Sequence, residues 1–310
     1  MFRTDKTAIL MAAFNGERYI AEQIESLLRQ TSRDWELFIH DDGSSDRTPE
    51  IIRQYEERYP QSIHVVDGPP AGGARNNFFF LMENVRAPYV MFCDQDDVWL
   101  PEKIEKLRAR MDETEGTLNS GTPVMVFSDV RVVDEKLDII ADRLSVYQKL
   151  DPNRTAQQDL LLQNVATGCA MMINGACLEK MLVPLETDAV IMHDWWCALA
   201  ASCFGSISYV DEPLVLYRQH GENSIGAKRA GSVGYAVDRL RSGKEIRAAL
   251  VKTRVQAGAF SRAYSLGEDS FAARYSRLGE KNKVQRLLFY CRNKMRKSGF
   301  ARNLGLIVWG

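Results

Sequence analysis

Apolar and polar positions fall into blocks along the first hundred residues. Residues 7–14, TAILMAAF, are an unbroken apolar run, the pattern of a strand covered on both faces. The stretch 17–30 instead sets Ile20, Ile24, Leu27 and Leu28 at helical spacing. A short apolar run at 35–40 ends in Asp41 and Asp42, and a helix is predicted from Thr48, with Pro49 in its first turn. A third strand, SIHVVDG, leads through the loop PPAGGAR to a helix over 76–86. The strand YVMFCDQDD then precedes a helix beginning at Pro101. Continuous apolar strands alternating with helices predict an α/β fold, a mostly parallel sheet with helices on both faces. Ligands in such folds bind beyond the strand carboxyl ends, where Asp41, Asp42, Asp94 and Asp96 fall.

Between 124 and 218 the pattern turns mixed, with strands expected at VMVFSDVRVV, CAMMI and ISYVDEPLVLYR and a helix at 194–204. Glycine and serine punctuate 226–234, and charged helical stretches follow. A boundary is therefore expected near 224, dividing a catalytic domain (1–223) from a helical C-terminal region (224–310). The 310 residues are 45% apolar, enough for a substantial core, and 40 basic against 41 acidic residues give no global charge suited to nucleic acid. Six cysteines (93, 169, 177, 197, 203, 291) show neither C-x-x-C nor zinc-type spacing, and most lie in apolar runs. They read as reduced thiols of a cytoplasmic protein. No apolar stretch has the length of a signal-peptide core or a membrane span.

The chemistry concentrates in DQD, residues 94–96. Two carboxylates two residues apart, just past a strand, can reach one hard cation, Mg²⁺ or Mn²⁺, shared with substrate phosphates. A solvated acidic turn before a helix would show the same residues. The second acidic pair at another strand tip favours the metal–diphosphate reading.

Taken together, AAFNGERYIAEQIESLLRQTSRDWELFIHDDGSSDRT and, some fifty residues on, DQDDVWLPEKI resemble a family 2 glycosyltransferase over roughly residues 6–222. The later HDWWCALAASCFGSISYVDEPLVLYRQHGENSIG is most similar to bacterial rhamnosyltransferases of cell-surface polysaccharide assembly. The resemblance implies a GT-A fold, a nucleotide-diphosphate sugar donor and inversion at the anomeric carbon. It implies that Ala12, Phe14 and Glu17 cradle base and ribose, although relatives often carry proline and tyrosine where Ala12 and Phe14 stand. Asp42 would then bond the pyrimidine or ribose, while Asp41 fixes the turn. Arg75 would lie near base and phosphates, or simply start a helix. Asp94 and Gln95 fall to the donor and Asp96 to the metal, with His220 completing its shell or meeting phosphate. Arg218 would offset phosphate charge. Asp194 would be the general base, its plainer role being a helix N-cap. His193, Trp195 and Trp196 would line the acceptor site, the tryptophans having core packing as their alternative.

The expected activity is metal-dependent transfer of a hexose, L-rhamnose from dTDP-rhamnose first, to a lipid-linked or polysaccharide acceptor. A UDP-sugar donor, a sugar-phosphate nucleotidyltransferase and a silent nucleotide-sugar-binding subunit are the alternatives. The nucleotidyltransferase lacks its glycine-rich basic signature in AAFNGERY. Residues 281–302 hold eight basic side chains and no acidic ones, interleaved with Leu287, Leu288, Phe289, Tyr290 and Phe300. That pattern suits the cytoplasmic surface of an anionic membrane, a helix packed on the catalytic domain, or a homodimer contact. No nucleic-acid recognition module accompanies the charge.

Overall fold

The structure, a computed structural model, describes residues 1–184, 186–221 and 243–310; the boundary expected near 224 lies outside them. In chain order the first half runs β1 (Phe2–Arg3), β2 (Thr7–Ala13), α1 (Ile20–Leu28), β3 (Trp35–Asp41), α2 (Thr48–Arg58), β4 (Ile63–Val65), α3 (Ala74–Asn84), β5 (Val85–Arg86), β6 (Tyr89–Asp94), β7 (Val98–Trp99) and α4 (Lys103–Glu115). The second runs β8 (Val124–Val133), β9 (Ile139–Ala141), α5 (Leu144–Gln148), α6 (Gln157–Leu160), β10 (Met171–Asn174), α7 (Gly175–Met181), α8 (His193–Phe204) and β11 (Ser206–Arg218). After the undescribed stretch come α9 (Gly243–Ala263), α10 (Phe271–Ser276), α11 (Lys283–Arg292) and α12 (Phe300–Trp309).

Among the described residues one nine-stranded sheet has the order β4-β3-β2-β6-β10-β8-β11-β7, with β9 paired to β8. Strands β4, β3, β2 and β6 are parallel, β10 is antiparallel to both its neighbours, and β11 runs parallel to β8. This is the mixed, mostly parallel α/β sheet expected from the apolar runs. The unbroken runs of β2 and β6 follow from burial on both faces. One face packs Ile20, Ile24 and Leu27 of α1 with Leu107 and Met111 of α4; the other packs Phe78, Leu81 and Met82 of α3 with Trp196 of α8.

The sheet cannot be flat. Strand β7 follows β6 after three residues, yet lies four strand spacings away in the sheet order. Four spacings across a flat sheet span about 19 Å, whereas the four steps from Asp94 to Val98 reach at most about 14 Å. Curling closes the gap. Register shifts on β11 on either side of Pro213 bend that strand, and β7 comes to rest against α1. The carboxyl end of β6 is thereby drawn across the mouth of the sheet.

The C-terminal helices do not form a separate body. Phe260 and Tyr264 pack on Trp196, at ring-centroid separations of 5.2 and 6.2 Å, and Ile191 N–H donates to Gln256 Oε1 at 2.7 Å. Residues of α9, α10 and α11 join the same buried cluster as α3 and α8. The expected basic helix is two helices, with Asn282 capping α11 through a reciprocal bond pair with Gln285. Gly299, at φ +81°, adopts the left-handed turn that precedes α12.

Candidate active site

Loops after β2, β3 and β6 build one rim of the site, and they hold each other. Asn15 N–H donates to Ser44 Oγ (2.8 Å), and Asn15 Oδ1 accepts from Ser45 N–H (2.9 Å). Gly16 N–H donates to Thr48 Oγ1 (2.7 Å), Glu17 N–H donates to Asp46 (3.0 Å), and Glu17 accepts from Arg47 N–H (3.0 Å). Asp41 takes Gly43 and Ser44 N–H at 3.2 and 2.9 Å, the turn-fixing role expected of it. Ala12 is half-buried on β2, directly between His40 and Asp94 on the adjoining strands. Phe14 projects from the rim, 53% exposed.

Asp42 faces inward, 8% exposed. Its carboxylate accepts the N–H groups of Ala71, Gly72 (2.9 Å) and Gly73 (2.6 Å). Both glycines have positive φ, +84° and +113°, so this anion nest needs them. Gln95 was expected to serve the donor; instead its amide pairs with the Phe14 backbone, Phe14 N–H to Oε1 at 2.9 Å and Nε2 to Phe14 carbonyl at 2.7 Å. Gly16 makes room, since a Cβ there would stand 2.2 Å from Gln95 Oε1.

The acidic turn has a half-buried outer part and a sealed inner part. Asp96 Oδ2 lies 2.7 Å from His220 Nε2, and the His220 ring sits on Tyr19 at 4.9 Å between centroids. Arg218 departs from its expected phosphate role. Its buried guanidinium donates to the Asp96 carbonyl (Nε, 2.7 Å), the Glu135 carbonyl (2.6 Å) and the Glu22 carboxylate, and lies 4.7 Å over the Tyr19 ring. Its own N–H donates to Asp97 Oδ1 (3.1 Å). With these donors committed to the turn, Arg218 braces Asp96 from behind.

Beneath the turn lies a residue that the sequence reading passed over. Lys103 is fully buried, its Nζ donating to the Cys169 carbonyl and lying 3.0 Å from the Trp99 ring centroid. Burial brings its pKa down to about 7, against the pull of nearby Asp97 and Asp94. Burial, then Asp96 and Asp194, raise Asp94 to about 7; burial and its acidic neighbours push Asp97 well above the usual carboxylate range. One signal was legible: Lys103 sits on the face of α4 that carries Ile104, Leu107 and Met111.

Two groupings offer metal ligands. Asp94, Asp97 and Cys169 bring ligand atoms within 4.8 Å of one another. That set does not suit Mg²⁺ or Mn²⁺: Asp97 is sealed from water, a thiol is a soft ligand, and Lys103 already supplies the cation. The half-buried Asp96 carboxylate beside the His220 imidazole fits a hard cation that keeps part of its water shell.

Across from the acidic turn, Asp194 lies in the first turn of α8, after His193. Burial raises its pKa to about 6, against the lowering effect of N–H bonds from Trp195 and Gly168. Its charge in turn raises Asp94, so these two carboxylates, one hundred residues apart in sequence, are neighbours in the fold. Arg75 links the rims, donating to the Val190 carbonyl (2.8 Å) and lying 3.6 Å from Asp188. Two of the expected acceptor residues are core residues. His193 is 2% exposed, wedged against Phe78 and Phe92 at 4.0 and 4.9 Å, and burial drops its pKa to about 3. Trp196 is wholly buried and donates to Tyr264 Oη (3.2 Å). Trp195 is half-buried, with Nε1 bonded to the Leu160 carbonyl (2.5 Å).

Residues 8–181 match the family profile described as Glycosyl transferase family 2. The chain belongs to that family. A dTDP-rhamnosyl transferase of Shigella flexneri, RfbG, is 29% identical over 229 residues, covering 70% of this chain and 74% of that protein. The Escherichia coli enzyme WfgD, a UDP-Glc:alpha-D-GlcNAc-diphosphoundecaprenol beta-1,3-glucosyltransferase, is 26% identical over 205 residues, covering 66% and 72%. In fold, the chain resembles S. aureus TarS 1–349, with a TM-score of 0.55 at 15% identity over 93% of this chain and 87% of that one. The same TarS fragment in complex with UDP-GlcNAc gives a TM-score of 0.54. This family 2 glycosyltransferase thus has the GT-A-like architecture, with its acidic turn at the mouth of the curled sheet.

Proposed function

We propose that this glycosyltransferase moves L-rhamnose, with inversion, from dTDP-L-rhamnose to a lipid-linked or polysaccharide acceptor in cell-surface glycan synthesis. The observation that carries the reading is the nearness of Asp194 to Asp94, close enough for its charge to raise the Asp94 carboxyl. An inverting transfer needs a carboxylate that can take the acceptor hydroxyl proton on the face opposite the leaving group. Asp194, half-buried with its pKa lifted to about 6, is basic enough to accept that proton and still mostly ionised at neutral pH.

The donor lies across the first rim. Phe14 offers the nucleobase an exposed ring, the Asp42-anchored 71–73 loop forms the wall beside it, and Asp94 reaches the ribose. A divalent cation held by Asp96 with His220 would offset the charge gathering on the departing diphosphate. Arg75, partly exposed between the rims, supplies a further positive charge toward the same diphosphate. Trp195 borders the acceptor side. The rhamnosyl donor is favoured by the relative named as a dTDP-rhamnosyl transferase. A UDP-hexose is the second reading, favoured by the glucosyltransferase relative, whose name also carries a diphosphoundecaprenol acceptor.

Nucleoside diphosphate release, measured over dTDP-rhamnose, UDP-glucose and UDP-GlcNAc with Mn²⁺ or Mg²⁺, separates these donors. The Asp194→Asn protein is expected to keep its donor-induced thermal shift and lose transfer by about a thousandfold or more. Normal transfer by that variant would remove Asp194 from the chemistry. An Asp96→Ala protein that still shows a cation-dependent donor shift would remove Asp96 from the metal.

A further inference from the structure

The charge of this chain is divided sharply along its length. Residues 281–310 contain eight basic side chains and no acidic one, which leaves the preceding 280 residues at −9. These last thirty residues form α11 and α12 and the turn between them. The two helices are tied by Lys283 Nζ, which donates to the Val308 carbonyl (2.9 Å), and by Arg286 Nε, which donates to the Gly310 carbonyl (3.0 Å).

Each helix has an inward and an outward side. Tyr290 of α11, Met295 of the turn and Leu306 of α12 enter the core. Outward, Val284 (66% exposed) and Leu288 (48%) lie one turn apart on α11, and Phe300 (84%) and Ile307 (55%) lie two turns apart on α12. Lys281, Lys283, Arg292, Lys294 and Arg296 are exposed among them. Exposed large apolar side chains interspersed with exposed basic ones, with no acidic side chain in the last thirty residues, are the composition of a helix face that lies in a lipid–water interface.

We propose that this face docks on an anionic lipid surface, its apolar side chains entering the interface and its basic side chains meeting acidic headgroups. Charge complementarity selects this occupant. A second copy seated by two-fold symmetry would set two like-charged basic faces against each other. A nucleic acid would engage the cations and leave Val284, Leu288 and Ile307 in water. The proposal deepens the reading of a transferase that serves a lipid-linked acceptor and takes its meaning from that reading. The docking face is not remote from the site. Ile246 of α9 packs with Leu306, and Phe260, farther along α9, packs on Trp196, two residues from Asp194. Docking would therefore set the acceptor rim in a fixed attitude to the bilayer.

The test is co-sedimentation of the full chain, without donor, with vesicles of phosphatidylcholine alone or mixed with phosphatidylglycerol. Binding to the mixed vesicles should be tighter by roughly tenfold or more, and should weaken as salt is raised. A Leu288→Asp/Phe300→Asp double variant should lose that binding while keeping its thermal transition and its donor turnover with a soluble acceptor. Equal partition onto both vesicle types, or wild-type binding by the double variant, would overturn the proposal. So would a dimer that the double variant converts to monomer in sedimentation velocity, which would give the face to a second copy. Failure of the wild-type chain to bind the mixed vesicles, with its turnover intact, sinks the docking face alone, whereas absent turnover with vesicle binding intact sinks the transferase reading alone.

Discussion

Asp42 offers the sharpest test of how the donor rim is held. Its carboxylate accepts three backbone N–H groups, from Ala71, Gly72 and Gly73, in a nearly buried setting. An Asp42→Asn side chain keeps its shape and one acceptor oxygen, so the Ala71 and Gly72 bonds survive as neutral ones. The amide nitrogen would then point at Gly73 N–H, donor against donor. Losing one charge-assisted bond costs about 1.5–3 kcal/mol, and the two survivors fall to about half strength. The total is about 3–6 kcal/mol, which in a chain of this size lowers the melting temperature by roughly 5–9 °C. Differential scanning fluorimetry of the protein without donor reads this directly, and limited proteolysis should show faster cleavage at 69–75. If Asp42 acted only on the donor, the variant would melt like wild type and lose only the donor-induced shift. That pattern would refute the anchoring argument.

Asp194 must be ionised to accept a proton, and its pKa stands at about 6. The pH profile of kcat/KM should therefore fall on the acid side of about 6, to roughly a tenth one unit lower; a flat profile there would mean another base. Gly16→Ala places a Cβ in the space of the Gln95 amide. Breaking the Gln95–Phe14 pair should cost about 1–2 kcal/mol and raise the donor KM more than it lowers kcat; unchanged donor kinetics would show that the pair is not needed. Lys103→Met removes the buried amine from among Asp94, Asp97 and two thiols, and should lower the urea midpoint at neutral pH. An unaltered midpoint would show that the acidic turn needs no counter-ion.

Much of this molecule was legible in its residues, and the exceptions have physical causes. The strands at 7–13, 35–41 and 124–133 could be read to within a residue, because buried strands stay rich in apolar side chains even where Glu36, Ser128, Asp129 and Arg131 interrupt them. The acidic residues at strand tips were legible for the same reason: the place where an apolar run stops is where the sheet stops. What the residues could not convey was the direction of each polar side chain. Arg218, Gln95 and Asp42 each carry a group fit for a ligand, and each turns it on the chain itself. Only the curl of the sheet, a long-range property, brings Glu22 and Glu135 up to Arg218. His193 and Trp196 were read outward because they flank Asp194, yet the helical turn at α8 sends them inward while Asp194 faces the opposite rim. Lys103 carries no sequence signal strong enough to mark it, because lysine so seldom lies at zero exposure.

The three-residue link between β6 and β7 has a consequence for how this enzyme can change over evolutionary or engineered time. Residues 95–97 turn between a central strand and a distant edge, where Val98 and Trp99 pair with Leu216 and Val215. Side chains on such a link can be exchanged, but its length sets where the acidic residues stand. A deletion would pull Trp99 off its partner and an insertion would let the acidic residues drift from His220. Catalytic tuning in this scaffold is thus confined to substitution at that point, and freedom to gain or lose residues is left to the loops on the far side of the sheet.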